Sequence, residues 1–241
     1  MRSYALSELS WSEVVAHLET ERRLILPVAT CDQYGPHLPI GASRFVTEAL
    51  SDELSREFGI ILAPTFSYGV NVPSEKDYPG TAGLRGKTLH RALNELIASW
   101  EQNGFDEFVL ITASEDDPHV EAMAAVYARK ARIRVIEALA MDLSEYLRGP
   151  PTPQHGGETM TSLLLHLQPE VVRMEAARDY PMDRERFRRF RRGRLRMLPV
   201  GCEGSIGFPS LATAETGAAI FSHILERIRE KVFISPEAGK P

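Results

Sequence analysis

Four short apolar runs constrain this chain more than any other feature: Leu24-Ile25-Leu26-Pro27-Val28, Ile60-Ile61-Leu62-Ala63, Phe108-Val109-Leu110-Ile111-Thr112 and Arg134-Val135-Ile136-Glu137-Ala138. Each reads as a short buried strand, and each pair is separated by a stretch with helical spacing. Ser10 and Glu13 stand at capping-box spacing, and Val14, Val15 and Leu18 then share one face of a helix running to about Glu21. Further helices are expected through Glu48 to Phe58, over Leu89 to Trp100, over the Ala-rich Val120 to Ala131, through Leu163 to Leu167, and from about Ala214 to Val232. Strand and helix in repeated alternation imply right-handed crossovers and a parallel sheet covered on both faces. The expected fold class is therefore α/β, a three-layer α/β/α sandwich with a mostly parallel central sheet, in a single domain over residues 1–241.

Composition excludes several functions. With 28 Lys and Arg against 33 Asp and Glu, the net charge of -5 does not suit a nucleic-acid coat. Arg184 to Arg196 is crowded with arginines, which we read as a solvated face or a subunit contact in preference to a phosphate patch. Cys31 and Cys202 give no disulfide framework and no metal-binding pair, which points to a reducing, cytoplasmic setting. No apolar run is long enough to span a membrane, and the N-terminus lacks a signal-peptide core.

Four motifs carry a family resemblance. Leu26-Pro-Val-Ala-Thr-Cys-Asp-Gln-Tyr-Gly-Pro-His-Leu-Pro-Ile-Gly41 is a strand followed by Asp32, Tyr34, Gly35, His37, Leu38 and Pro39 at fixed spacing. Tyr78-Pro79-Gly80-Thr81 is followed, past a helix, by Asn103-Gly104-Phe105. His155-Gly-Gly-Glu158-Thr-Met-Thr-Ser162 and Gly204-x-x-Gly207-x-Pro209-x-x-Ala212-Thr213-x-Glu215-x-Gly217 complete the set. In order and at compatible spacing, they resemble the creatininase (creatinine amidohydrolase) family. The resemblance implies a creatininase-like fold, assembly of the chain with copies of itself into a hexamer, and hydrolysis of small amides by one or two divalent metals held by carboxylates and histidines.

Residue by residue, the resemblance also shows where this chain departs. The family's first Glu ligand is Asp32, its His is Tyr34, its bridging Asp falls at Ser43, and another His ligand becomes Ser114; Asp116 stands where a Glu ligand is expected. A phenol with a pKa of about 10 is a poor ligand, and two dications about 3.5–4 Å apart need an anion between them. The expected site is thus a degraded dinuclear centre, holding at most a single divalent ion (Mn, Mg or Zn) on Asp32 and Asp116, with Glu158 or His119 as further candidate ligands. Glu115, Asp116 and Asp117 can equally cap the helix that begins near Pro118.

The retained groups carry the candidate chemistry. Glu158 with His155 can act as a general acid/base pair, although Glu158 can equally satisfy backbone donors. His37 is a candidate acid/base or a structural residue. Cys31 beside Asp32, with His37 as base, forms a thiol-nucleophile alternative to a small buried residue. Tyr34, Ser43, Glu75 and Ser114 line the expected small-molecule pocket, with Glu75 and Lys76 marking a rebuilt wall in the long loop 67–87. Three functions remain open on the sequence alone: a rebuilt polar pocket without the family's dinuclear chemistry, an active amidohydrolase with one weakly held metal, and a structural or regulatory subunit.

Overall fold

The computed structural model describes residues 4–234. Its core is a four-stranded sheet of β1 (Arg23–Pro27), β2 (Ile61–Leu62), β3 (Glu107–Thr112) and β4 (Arg132–Glu137), all parallel and in the order β2-β1-β3-β4. Helices α1 (Trp11–Leu18), α2 (Ala42–Phe58), α3 (Gly86–Gln102), α4 (Asp117–Ala124), α5 (Glu158–Leu167), α6 (Arg184–Arg191) and α7 (Ala214–Ile228) complete the fold. None is long and apolar enough to cross a membrane.

Period-two alternation sorts the buried strand residues onto two faces. Ile25, Val109 and Ile111 pack against α2, α5 and α7, whereas Leu24, Leu26, Phe108 and Leu110 pack against α3 and α4. The expected three layers follow from this sorting. The chain first crosses from β1 to β2 at the sheet edge, then returns past β1 to β3. That reversal opens a crevice beyond the carboxyl ends of β1 and β3, where open α/β sheets place their ligands. Backbone bonds hold the crevice in register: Val28 N donates to Ile111 O at 2.8 Å, and Ala29 N to Phe66 O at 2.8 Å.

Some helix limits depart from expectation. The helix predicted over Val120 to Ala131 starts at Asp117 and stops at Ala124, because the N–H groups of Arg129, Lys130 and Ala131 turn to the Glu101 carboxylate at 3.2, 2.6 and 2.6 Å. α2 begins at Ala42, ahead of Glu48, since buried Ser43 and Thr47 break the apolar pattern of its first turns. The arginine-rich segment forms α6, whose Asp183 cap accepts from Arg186 N at 2.9 Å. Beneath α6, Phe190 packs with Val72, Met182, Cys202 and Ile206 in a small separate core.

Candidate functional site

Three acids meet at the crevice. Asp32 follows β1, Asp116 follows β3, and Glu75 ends a 3₁₀ turn (Pro73–Glu75) in the loop between β2 and α3. One carboxylate oxygen of each lies within 4.8 Å of the others, and the three residues are 0, 3 and 0% exposed. Both oxygens of Asp32, Oδ2 of Asp116 and Oε2 of Glu75 make no hydrogen bond. Burial, then the neighbouring Glu75, pushes the pKa values of Asp32 and Asp116 well above the carboxylate range. Burial also raises Glu75 to about 8, with the Gln33 amide pulling the other way by less. Buried, unpartnered carboxylates are costly as a cluster of anions.

The expected helix-capping role of Asp116 is not the one its side chain plays. Asp116 occupies the N-cap position of α4 without making a capping hydrogen bond, so its carboxylate is left for the triad. Asp117 instead faces Arg191 at 3.3 Å and Arg192 at 3.7 Å.

His155 adjoins the triad. Its Nε2 lies 2.8 Å from Glu75 Oε1 and 2.9 Å from Gln33 O, with the Gln33 amide nitrogen farther off at 3.4 Å; a proton on Nε2 satisfies the two nearer oxygens and leaves Nδ1 as the unprotonated nitrogen. Tyr34 stacks on the ring at 4.6 Å between centroids, and Phe190 meets it edge-on at 5.0 Å. The close approach needs Gly156: its φ of +58° is left-handed, and an added Cβ would collide with the backbone of Tyr34.

Of the two roles open to Glu158, partner of His155 or acceptor of backbone donors, the structure displays the second. Both Glu158 oxygens accept backbone N–H groups, from Arg148 at 2.7 Å and Gly149 at 2.9 Å, which ties the carboxylate to a loop; the carboxylate facing His155 is that of Glu75. His119 does not join the acids either. Its Nδ1 accepts from Val70 N at 3.3 Å, its Nε2 contacts Thr112 Oγ1 at 3.1 Å, and burial lowers its pKa to about 4. His37 lies 2.8 Å from Thr161 Oγ1 through Nε2, and burial likewise lowers it to about 4. Cys31 Sγ points to Gly80 O at 3.6 Å, so the structure does not assemble the Cys31–His37 pair. Ser43 Oγ is shared with Thr30 Oγ1 at 2.9 Å. Sequence reasoning had put Glu75 in the pocket wall and missed it as the third acid, because only the fold brings its loop across the two strand ends.

A cavity of about 580 Å³ opens beside the triad, with Tyr34, Ser114, Asp116 and His155 among its lining. The acid cluster fits a divalent cation by two observations: four buried carboxylate oxygens lack any partner, and the donor set is all oxygen. Hard oxygen donors suit Mg²⁺ or Mn²⁺ in preference to Zn²⁺.

Comparison with known proteins places this arrangement in context. The profile of the creatinine amidohydrolase family matches residues 7–232. A creatinine amidohydrolase from Pseudomonas putida is 24% identical over 202 residues, covering 75% of this chain and 78% of its own. A mycofactocin precursor peptide peptidase from Mycobacterium ulcerans (strain Agy99) is 26% identical over 238 residues, 92% of this chain and 88% of its own. Among solved structures, a manganese form of creatininase superposes with a TM-score of 0.77 at 21% identity, covering 95% of this chain and 99% of that one. Another creatininase gives 0.75 at 20% identity, with complete coverage of both chains. With a family match spanning nearly the whole sequence and the same fold beneath the site, this chain belongs to the creatininase family.

Proposed function

We propose that this chain is a hydrolase of amide C–N bonds that works with one divalent cation, Mn²⁺ or Mg²⁺, held by Asp32, Glu75 and Asp116. The observation that supports it is the set of four unpartnered, buried carboxylate oxygens on three acids within 4.8 Å, a cluster of anions that a cation would neutralise. A single ion, in place of the family's pair, agrees with Ser43 and Tyr34: neither offers an anion, and both side chains are engaged, with Thr30 and His155.

A bound cation would supply Lewis acidity toward an amide carbonyl and make a water more acidic. The chain's own residues do the rest. Glu75 orients His155 through Nε2, and Nδ1 remains to take a proton from water and return it to the leaving amine. Tyr34 holds the imidazole plane, and the cavity wall at Ser114 and Met160 shapes the space for the acyl group. Trp11 and Val15, one helical turn apart and 81 and 54% exposed, support assembly with further copies of the chain.

The test is equilibrium dialysis with Mn²⁺, together with hydrolysis of a panel of cyclic and open-chain amides. Wild type should retain one Mn²⁺ per chain and show Mn²⁺-stimulated hydrolysis, and Asp32→Asn with Asp116→Asn should lose both. His155→Gln should keep the ion while losing about 10²-fold or more in kcat. A wild-type protein that retains no Mn²⁺ would sink the reading. Misfolding of the variant is excluded if its melting temperature without metal at pH 8 is equal to or above that of wild type, as removal of crowded buried charge requires.

A further inference from the structure

The arginines of α6 are not spread evenly round the helix relative to the site. Arg184, Arg188 and Arg191 follow i, i+4, i+7 spacing, which puts them on one face of an α-helix, and together with Arg192 they line the cavity beside the triad. Phe190 fixes this rotation: it is fully buried, sits edge-on against His155 at 5.0 Å, and stacks with Phe187 at 5.9 Å. The cationic row is therefore anchored to the same histidine that adjoins the acids.

The four arginines are not equivalent. Arg191 donates through Nε to Glu115 O at 2.8 Å and faces Asp117, and Arg192 faces Asp117 as well. These two offset the acids of the 115–117 loop. Arg184 and Arg188 have no acidic partner within 4.0 Å among the described residues, and both are exposed and line the cavity. Asp142, the remaining acid of the lining, has Oδ1 engaged by Ser144 N at 3.0 Å. The same lining includes Leu139, Met141, Leu143 and Leu147 from the β4–α5 connection and Met160 from α5, an aliphatic set. The cavity thus combines two guanidinium groups without acidic partners, aliphatic surface, Asp116 and His155 in one lining.

From this arrangement we infer that the amide cleaved here carries a carboxylate, received by Arg184 and Arg188, and an aliphatic side chain that packs on the apolar part of the lining, as in an N-acyl amino acid or the C-terminal end of a peptide. The inference rests on the proposed hydrolytic site and gives that site its substrate class. A guanidinium can receive a carboxylate through two parallel N–H···O bonds, and such charge-assisted bonds are about twice as strong as neutral ones. A negative substrate approaching a cluster of acids would otherwise be repelled, so a cationic lining also favours its arrival.

The test compares two probes of nearly equal shape, N-acetyl-L-leucine and its uncharged amide, N-acetyl-L-leucinamide, by calorimetry on Mn²⁺-treated full-length protein. Wild type should bind the acid about tenfold or more tightly than the amide, with the difference shrinking as NaCl is raised. The double variant Arg184→Gln, Arg188→Gln should lose the preference while Mn²⁺ retention and melting temperature stay at wild-type values. Equal binding of the two probes, binding of neither, or a preference that survives in the double variant would overturn the inference. A double variant that keeps the preference but changes oligomeric state would overturn it as well and assign the two arginines to a subunit contact. Loss of Mn²⁺ retention in wild type itself would count against the cation reading alone, because the acid-versus-amide comparison is read separately.

Discussion

Burial sets opposite pH dependences at the individual titratable residues. His37 and His119 have pKa values lowered to about 4 from an unfolded value of about 6.5, so the unfolded chain binds more protons and stability falls as pH drops from 6.5 toward 4. Glu75 is raised to about 8 from 4.5, so the folded metal-free chain binds more protons and stability falls as pH rises through that window; Asp32 and Asp116 act in the same direction. Between about pH 7.5 and 8 both histidines are essentially neutral folded or unfolded, and the buried acids dominate the slope. Urea unfolding of metal-free protein should lose stability across that interval at up to about 1.4 kcal/mol per pH unit for each proton involved. Saturating Mn²⁺ should cancel the loss, since the ion binds the ionised acids. A flat profile in both conditions would contradict the buried-acid account. The same residues show how far the sequence could be read. Asp32 and Asp116 were legible as candidate ligands because the family resemblance puts ligands at both positions, each a few residues past a strand. Glu75 was not, because its partners are 43 and 41 residues away in the chain and no local spacing links them. Glu158 stayed open between an acid/base role and a backbone-binding one, because its two donors, Arg148 and Gly149, sit in a loop whose path no pattern predicts.

Among the elements, α6 shows what composition hides. Its arginines dominate the sequence, yet its position is set by Phe190, which is fully buried in the small core with Val72, Met182, Cys202 and Ile206. Phe190→Ala should destabilise the protein by about 3–5 kcal/mol, the range for emptying a buried aromatic site, measured by urea denaturation. It should also weaken the acid probe, because the rotation of the arginine row is then unsupported. If the effect stays below about 1 kcal/mol, α6 is not held as described. Gly156→Ala acts on the junction into α5, where the left-handed φ and the Tyr34 backbone leave no room, and should cost on the order of 2–4 kcal/mol by the same measurement. The strands were legible at this scale because their apolar runs are continuous. Helix limits were less so: α4 ends early where the Glu101 carboxylate captures three backbone N–H groups from a distance of 28 residues and more.

For the molecule as a whole, both large apolar clusters share the strands of one sheet, Ile25 and Val109 serving one face and Leu24 and Phe108 the other. Neither cluster can melt without stripping the sheet, so fluorescence of Trp100 and far-UV circular dichroism should report one coincident urea transition. Separate midpoints would show that the layers unfold independently. The three-layer plan was readable from the alternation of strands and helices, while the site depends on where a loop folds back over the sheet. That placement carries a consequence for ion choice. Two of the three acids ride on strand ends locked by backbone bonds, whereas Glu75 rides on a connecting loop. The sheet therefore supplies a fixed jaw and the loop an adjustable one, and substitutions of uncharged residues along 63–85 would retune which ionic radius the site grips while the rest of the fold stays as it is.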